Sequence, residues 1–334
     1  MEQSALSPVS LVTGGAGFIA VNLIGRLLAE RKRVVAADNL SLGKLEYLDP
    51  FRSNPLFHFI QTDVADRSQC DDLFRRAALH GTLQEVWHLA ANSDIPAGLA
   101  DPDIDLKDTF RTTFEVIRSM KAHGVRTLHF ASSSAIYGDH GESPLHEESG
   151  PLLPISNYGA MKLASEAQAS AAGESHLDVV NLFRFPNVVG VPATHGVLLD
   201  FVRKLKADPR KLDVLGDGTQ RKAYLHVSDL VDAMLFVRAA TRPHKVVIMN
   251  IGPVDEGVLV GWIAKQVVAR VSPGAAIQLG SGSKGWIGDV PRFHYRVDRL
   301  QALGWRPRLD SSAAVLRALE EIAVQESVAG KGNR

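Results

Sequence analysis

A glycine-rich turn near the N-terminus constrains the fold more than any other feature. Residues 13–17, with the sequence TGGAG, separate a β-branched run at residues 9–13 from a helical pattern at residues 18–30. Glycines at such a turn let backbone N–H groups approach an anion, and the start of the helix adds a partial positive charge. This order predicts a strand, a phosphate-binding turn and a helix.

Short β-branched runs continue to alternate with longer amphipathic stretches, as in a parallel sheet with helices on both faces. The predicted strands cover residues 9–13, 33–38, 57–61, 86–90, 127–132, 179–184 and 246–250, and the predicted helices cover residues 18–30, 68–80, 103–123 and 158–172. After residue 186, turns rich in Gly and Pro separate shorter elements. We therefore predict an α/β fold: a Rossmann-type doubly wound parallel sheet with a smaller, mixed α/β C-terminal domain.

The same pattern predicts the domain organisation. We expect a nucleotide-binding domain at residues 1–184 plus 226–250, a substrate domain at residues 185–225 plus 251–327, and a disordered tail at residues 328–334.

Composition excludes some classes of binding partner and indicates the cellular compartment. Lys plus Arg and Asp plus Glu both total 37, so no net positive charge points to nucleic acid. No apolar run reaches the roughly 18 residues that a membrane span needs, and the N-terminus has no basic region typical of a signal peptide. The single cysteine, Cys70, excludes an internal disulfide and fits a reducing compartment. We expect a cytoplasmic protein that binds neither nucleic acid nor membranes.

The residues around the turn predict NAD as a cofactor. Asp38 ends the second predicted strand about 20 residues beyond the turn, where a carboxylate accepts hydrogen bonds from a ribose and repels a 2′-phosphate. The alternative is a tight turn followed by a surface Asp. For residues 63–64 and 89–91, a packing role is nearly as well supported as cofactor binding. The predicted cofactor-binding residues at this end of the sheet are Gly14, Gly17, Phe18, Ile19, Asp38, Asn39, Asp63, Val64, Leu89, Ala90 and Ala91.

Tyr158 and Lys162 lie four residues apart at the start of a predicted helix, and hence on one face. A tyrosine with its ordinary pKa near ~10 is a poor base at neutral pH, but a neighbouring ammonium stabilises the phenolate. This spacing alone also fits an exposed pair. The polar run at residues 131–138 favours a functional role for the pair over an exposed pair. It follows a predicted strand, and ligands bind at the carboxyl edge of such sheets.

Taken together, these motifs resemble the extended short-chain dehydrogenase/reductase family, and within it the NAD-dependent sugar-nucleotide epimerases and dehydratases. The resemblance covers nearly the whole chain, including residues 13–20, 88–91, 131–138, 184–190 and 216–220. It implies that Ser133 is the catalytic hydroxyl, with Ser134 beside it in contact with substrate. It further implies that Tyr158 acts as base, and that Lys162 binds the nicotinamide ribose and holds Tyr158 ionised. By the same resemblance, Tyr158 and Lys162 are both cofactor-binding residues. A homodimer through the helices near residues 103–123 and 158–172 is also implied.

The residues after Ser133 distinguish between reactions of this family. The similar 4,6-dehydratases carry Asp-Glu there, and the related decarboxylases carry Glu at the second position, whereas this chain has Ser134 and Ala135. The resemblance thus implies epimerisation of a nucleotide-diphosphate sugar at C4, through a transient 4-keto sugar. An NDP-4-ketosugar reductase or another NDP-sugar oxidoreductase would use the same three residues. A non-catalytic nucleotide-sensing protein is a further alternative.

The substrate side of the site is less clearly marked. Asn187 resembles the family's contact to the sugar diphosphate, although Asn after Pro is also a common turn residue. Lys222 stands where relatives carry a diphosphate-binding Arg, with Arg221 just before it, and Lys284 or Arg292 could serve a similar role. No metal-ligand spacing and no nucleophile-elbow motif occurs, so we expect neither a metal site nor acyl transfer.

Overall fold

The computed structural model describes residues 7–141, 143–240, 244–282 and 294–329. Its strands are β1 (Pro8–Thr13), β2 (Arg33–Asp38), β3 (Phe57–Gln61), β4 (Thr82–His88), β5 (Thr127–Ala131), β6 (Pro144–Leu145), β7 (Val179–Arg184), β8 (Asn187–Val189), β9 (Lys211–Val214), β10 (Arg221–Lys222), β11 (Tyr224–His226), β12 (Val246–Asn250), β13 (Val258–Leu259), β14 (Ala276–Leu279) and β15 (His294–Tyr295). Its α-helices are α1 (Phe18–Ala29), α2 (Arg67–Ala78), α3 (Ile95–Ala100), α4 (Pro102–Asp105), α5 (Thr112–Ala122), α6 (Asn157–Ser175), α7 (Val197–Ala207), α8 (Val227–Ala239), α9 (Val260–Val271), α10 (Asp298–Ala302) and α11 (Ser311–Ala329).

The chain forms two compact units. The first contains the described residues up to Ile136, Ser156–Arg184 and Val237–Met249. Its seven-stranded sheet has the order β12-β7-β5-β4-β1-β2-β3. The pairs β1–β2, β2–β3, β1–β4, β4–β5 and β5–β7 are parallel. This is the predicted Rossmann-type sheet.

The strand order turns back between β1 and β4, which is where ligands bind in sheets of this kind. Thr13, the last residue of β1, pairs with His88, the last residue of β4. The glycine turn after β1 and the residues that follow β4 therefore lie at the same edge of the sheet.

Burial of apolar side chains explains why these runs form strands and helices. Val9, Leu11, Val35 and Val86 are fully buried in the core of this unit. Helix α1 contributes apolar residues at helical spacing, which places them on one face: Ala20, Leu23, Ile24, Leu27 and Leu28.

The helix predicted at residues 103–123 is interrupted in the structure. Between α4 and α5 lies a π-helical turn, Leu106–Arg111. A π turn frees backbone carbonyls from the regular ladder, and here threonine hydroxyls satisfy them. The Thr113 hydroxyl donates to the Thr109 carbonyl oxygen at 3.0 Å, and the Thr112 hydroxyl donates to that of Asp108 at 3.0 Å.

The second unit contains Tyr137–Ile155, Phe185–Phe236 and the described residues from Asn250 onward. Within it β10 pairs with β13 in antiparallel fashion, while β8–β11, β9–β14 and β6–β15 are parallel pairs. Its own core includes apolar residues of α7, α9 and α11: Leu198, Phe201, Val202, Ile263, Val267, Ala318 and Ile322.

These boundaries differ from the predicted domains, because residues 137–155 and 226–236 belong to the second unit. Asn250 explains part of the difference. Its side-chain oxygen accepts hydrogen bonds from the Tyr137 and Tyr295 hydroxyls at 2.7 and 3.0 Å. Its amide nitrogen donates to the Leu145 carbonyl oxygen at 3.2 Å, which ties residues 137–145 to this unit.

The last helix extends into the predicted tail. Helix α11 reaches Ala329, two residues into the predicted tail, and residues 330–334 lie outside the described ranges. Within those ranges, none of the helices has the length and apolar character that a bilayer crossing requires.

Candidate active site

The turn after β1 is shaped to receive an anion. Gly14 has a φ of +68°, and a Cβ there would lie 2.7 Å from the backbone nitrogen of Ala90, so that only glycine fits. Helix α1 begins at Phe18, and no side chain caps its start. The first-turn N–H groups of a helix have no partner within it, so those of Phe18 and Ile19 suit a pyrophosphate. The Gly17 N–H donates to the Gly14 carbonyl oxygen at 3.0 Å, which closes the turn directly before the helix.

Asp38 ends β2 beside this turn and is 8% exposed. One carboxylate oxygen accepts a hydrogen bond from the Ala16 N–H at 3.0 Å, and the other accepts one from the Leu40 N–H at 2.7 Å. Burial raises the pKa of Asp38, and the two backbone hydrogen bonds oppose that rise. Because each oxygen has a second lone pair, the fixed carboxylate suits the hydroxyls of a ribose. Asn39 follows and accepts a hydrogen bond from the Ser41 N–H at 3.0 Å.

The remaining predicted cofactor residues follow β3 and β4. Asp63 accepts a hydrogen bond from the Ala65 N–H at 2.9 Å, and its other oxygen lies 3.1 Å from the ammonium of Lys107. Val64 is buried beside it. Strand β4 ends at His88, two residues earlier than predicted, so residues 89–91 form the half-buried segment after the strand. These groups therefore lie at the carboxyl edge of the sheet, on the two sides of β1 and β2, and suit the adenosine half of NAD.

The three predicted catalytic residues come together in the first unit. Ser133 lies two residues beyond the end of β5, and Tyr158 is the second residue of α6, whose start is capped by the Ser156 hydroxyl. The Ser133 side chain hydrogen-bonds to Tyr158. One helical turn further on, the Lys162 ammonium lies 5.8 Å from the centre of the Tyr158 ring.

Burial controls the protonation of this pair. It raises the pKa of Tyr158 to about 12; the hydrogen bond with Ser133 opposes the rise and the charge of Asp105 adds to it. It lowers the pKa of Lys162 to about 7, against the charges of Glu166 and Asp105. Burial thus shifts both pKa values in the direction that favours the neutral form. A cation bound beside them would stabilise the Tyr158 phenolate.

A buried ion pair behind the catalytic residues was not predicted from the sequence. Glu166 and Arg184 are 4% and 3% exposed, and the Arg184 guanidinium contacts Glu166 Oε2 at 2.7 Å. The Ser132 hydroxyl donates to Glu166 Oε1 at 2.5 Å. The cluster joins the ends of β5 and β7 to α6. Its sequence signal is the four-residue spacing of Lys162 and Glu166, which places Glu166 on the same helix face.

The predicted substrate residues are divided between the two units. Ser134 is buried at the start of a 3-10 turn, Ser134–Ile136, in the first unit. Asn187 is exposed in β8 of the second unit, and Lys222 is half-buried in β10 of the same unit. The Arg221 guanidinium donates to the Gly257 carbonyl oxygen at 3.1 Å. Lys284 and Arg292 lie outside the described residues.

In the part of the chain that the structure describes, no three His, Cys, Asp or Glu side chains are arranged to hold a metal ion.

Known proteins share these features. The model of the NAD-dependent epimerase/dehydratase family matches residues 10–252. UDP-glucose 4-epimerase of Mycolicibacterium smegmatis is 28% identical over 345 aligned residues, which cover 93% of this chain and 97% of that protein.

Solved structures agree in fold over nearly the whole chain. A crystal structure of UDP-galactose 4-epimerase has a TM-score of 0.82 at 34% identity and covers 95% of this chain and 99% of its own. The Thermus thermophilus UDP-glucose 4-epimerase in complex with NAD has a TM-score of 0.81 at 27% identity, with 94% and 99% covered. These matches confirm the family predicted from the motifs and NAD as the cofactor. The chain is an NAD-dependent enzyme and belongs to the NAD-dependent epimerase/dehydratase family.

Proposed function

We propose that this enzyme epimerises a nucleotide-diphosphate sugar at C4 through a transient 4-keto sugar. The observation that carries the proposal is the grouping of Ser133, Tyr158 and Lys162 at the carboxyl edge of the sheet that also carries the glycine turn, with no carboxylate at position 134 or 135. The names of the relatives, UDP-glucose 4-epimerase and UDP-galactose 4-epimerase, support C4 as the position and UDP as the nucleotide.

In this proposal the first unit holds NAD and the second contributes to binding the nucleotide sugar. The N–H groups of Phe18 and Ile19 hold the pyrophosphate, Asp38 the adenosine ribose, and Lys162 the nicotinamide ribose. Bound NAD supplies a reversible acceptor for the hydrogen on C4. Asn187 and Lys222 are the proposed contacts of the second unit to the sugar diphosphate.

The chain's own residues move one proton. Tyr158 takes the proton from the C4 hydroxyl as that carbon is oxidised, and gives it back when the carbonyl is reduced from the other face. Ser133 donates a hydrogen bond to the same oxygen, and the Lys162 ammonium favours the phenolate of Tyr158. Elimination of water would need an additional acid and base, and Ser134 and Ala135 do not provide them.

The experiment is incubation of the enzyme with UDP-, GDP-, dTDP- and CDP-hexoses in D2O, followed by NMR. We expect inversion at C4 without solvent deuterium on carbon, and no inversion by the Tyr158→Phe variant. Retention of the C4 configuration in every sugar would refute the proposal, and deuterium at C3 or C5 would indicate enolising chemistry instead.

Two alternatives predict different outcomes. A 4-ketosugar reductase would use the same three residues but release its cofactor at each turnover, so NAD that remains bound through purification argues against it. A nucleotide-sensing protein would bind NAD and show no turnover of any sugar.

We also propose a homodimer and a cytoplasmic location. Leu106, Phe110 and Phe114 recur every four residues and so form one stripe along the segment from the π turn into α5. Leu106 and Phe114 are 50% and 42% exposed. Exposed apolar stripes of this kind mark protein interfaces, and the exposed face of α6 would complete the contact.

The lone buried Cys70 fits a reducing compartment and supports the proposed cytoplasmic location.

A further inference from the structure

Asp105 is a buried carboxylate beside the catalytic pair to which the proposed mechanism gives no role. It is the last residue of α4 and is 0% exposed. Its Oδ1 accepts hydrogen bonds from the Asn92 side-chain amide at 3.0 Å and from the Thr109 hydroxyl at 3.3 Å. Among the described residues its Oδ2 has no hydrogen-bond partner. An unpartnered carboxylate oxygen is costly to bury, so packing alone explains this residue poorly.

The carboxylate lies against a backbone segment that contacts the start of α6. A Cβ on Gly98 would overlap Asp105 Oδ2, which means that the carboxylate occupies the space beside the Gly98 backbone. The carbonyl oxygen of Gly98 accepts a hydrogen bond from the Asn157 side-chain amide at 2.8 Å. Asn157 is the first residue of α6 and precedes Tyr158. Gly98 therefore connects the Asp105 carboxylate to the first residue of α6, directly before Tyr158.

The charge of Asp105 acts on both members of the pair, raising the pKa of Tyr158 and the pKa of Lys162. Other groups around them act on only one. The Ser133 hydroxyl lowers the pKa of Tyr158, and Glu166 raises that of Lys162.

The remaining titratable neighbours do not replace Asp105. Burial lowers the pKa of His88 to about 3, so its ring is neutral near pH 7. Asp108 lies three residues after Asp105, beyond the start of the π turn. Burial raises the pKa of Asp105, and the charge of Asp108 adds to that rise.

We propose that Asp105 is a positioning residue of this site. Its buried carboxylate favours the protonated forms of Tyr158 and Lys162 and so sets the pH range in which Tyr158 accepts a proton from substrate. The inference rests on the proposed function only in that Tyr158 transfers the proton and Lys162 is the cation that favours its phenolate. This role explains why a carboxylate is buried close to the base, Tyr158. The anion holds the base protonated until a positive charge enters the site and offsets it.

The first test measures Tyr158 itself, without substrate or activity. The phenolate absorbance of the wild type, Asp105→Asn and Thr109→Val is followed after rapid alkaline pH jumps, and Tyr158→Phe identifies the signal of Tyr158. We expect the Tyr158 midpoint, about 12 in the wild type, to move to lower pH in Asp105→Asn. Thr109→Val is the matched control, because it removes a hydrogen bond from the same carboxylate and keeps the charge. An unchanged midpoint in Asp105→Asn, or an equal shift in Thr109→Val, overturns the proposal.

The second test uses the pH profile of kcat/KM for epimerisation. Removal of a negative charge lowers the pKa of both groups, so we expect the acid and alkaline limbs of Asp105→Asn to move together to lower pH. A purely structural role would lower the height of the profile and leave its limbs in place, which would overturn the proposal. If the wild type epimerises no sugar, the proposed function fails while the phenolate titration still tests Asp105.

Discussion

The Lys162 ammonium donates a 2.6 Å hydrogen bond to the carbonyl oxygen of Ala131, the last residue of β5. This bond joins α6 to the strand that leads to Ser133. It also keeps a cationic side chain, 2% exposed, at the carboxyl edge of the sheet.

Replacement of Lys162 by Met is expected to lower the epimerisation rate about a hundredfold or more, because the phenolate of Tyr158 loses its cation. The same change should raise stability at and below pH 7. The folded-state pKa of Lys162 is about 7 and its ordinary value is 10.5. Between these values the unfolded chain holds a proton that the folded chain lacks, so wild-type stability rises with pH. The advantage of the variant should therefore shrink from pH 7 to about 10 in thermal unfolding. Exposed Lys121→Met serves as control, and an advantage that is independent of pH would contradict the prediction.

Replacement of Gly14 by Ala is expected to destabilise the protein and to abolish retention of NAD. Gly124→Ala is a matched control, since Gly124 has a φ of +69° against +68° for Gly14 but no neighbouring atom within 4 Å of the point that a Cβ would occupy. The control should cost about 1 kcal/mol for its backbone conformation, and Gly14→Ala about 2 kcal/mol more for overlap with Ala90. Urea unfolding and the NAD content of the purified proteins measure both effects. Equal costs in the two variants would show that the close approach is unimportant.

Replacement of Asp38 by Asn should weaken the discrimination against NADP. The amide keeps the shape of the carboxylate and loses the charge that repels a 2′-phosphate. We expect the ratio of NADP to NAD affinity to rise about tenfold, equivalent to about 1.4 kcal/mol. Calorimetric titration of both nucleotides measures it, with exposed Asp49→Asn as control. A ratio equal to that of the wild type would remove Asp38 from the ribose site.

Glu85 is expected to stabilise the first unit in a pH-dependent way. Burial opposes its ionisation, but the hydrogen bond with His129, the Ser10 hydroxyl and the charge of Arg238 outweigh burial and hold its pKa at about 2. Its contribution is therefore complete above its ordinary value of 4.5 and is lost as the pH falls through about 2. Glu85→Gln should cost about 3 kcal/mol at pH 7, because Arg238 loses its buried partner. In urea unfolding this cost should decline below pH 4.5, whereas exposed Glu320→Gln should change little at any pH. A cost that persists undiminished at pH 2 would exclude the charge as its origin.

The proposed dimer can be tested at Phe114. A charge in the apolar stripe would be buried without a partner in the interface, so Phe114→Glu should convert the dimer to a monomer. Light scattering over a range of concentrations measures the mass. Leu79→Glu, at a residue 83% exposed after α2, is the control and should leave the dimer intact. A wild type that is monomeric at every concentration would contradict the proposed dimer.

Much of the first unit could be predicted because its signals are local. Strands β2, β3, β7 and β12 have the predicted bounds, since each is a short run of β-branched or apolar residues next to a turn. The glycine turn and the Tyr158–Lys162 spacing are equally local patterns.

The features that could not be predicted depend on contacts that no sequence pattern indicates. Asp105 looks like one acid in an acidic stretch until Gly98 and Asn92 enclose it. The π turn depends on hydroxyls of α5 that satisfy freed carbonyls. The assignment of residues 137–155 to the second unit depends on Asn250, more than 90 residues further along the chain.

The cluster of Ser132, Glu166 and Arg184 has a consequence for local motion. A single carboxylate bonds to partners on both neighbouring segments, so neither can separate without leaving a charge or a hydroxyl unpaired in the protein interior. The amides at the ends of β5 and β7 and in the middle of α6 should therefore exchange with deuterium together and only through large-scale opening. Efforts to alter the enzyme's sugar preference by directed evolution should consequently leave these three positions unvaried.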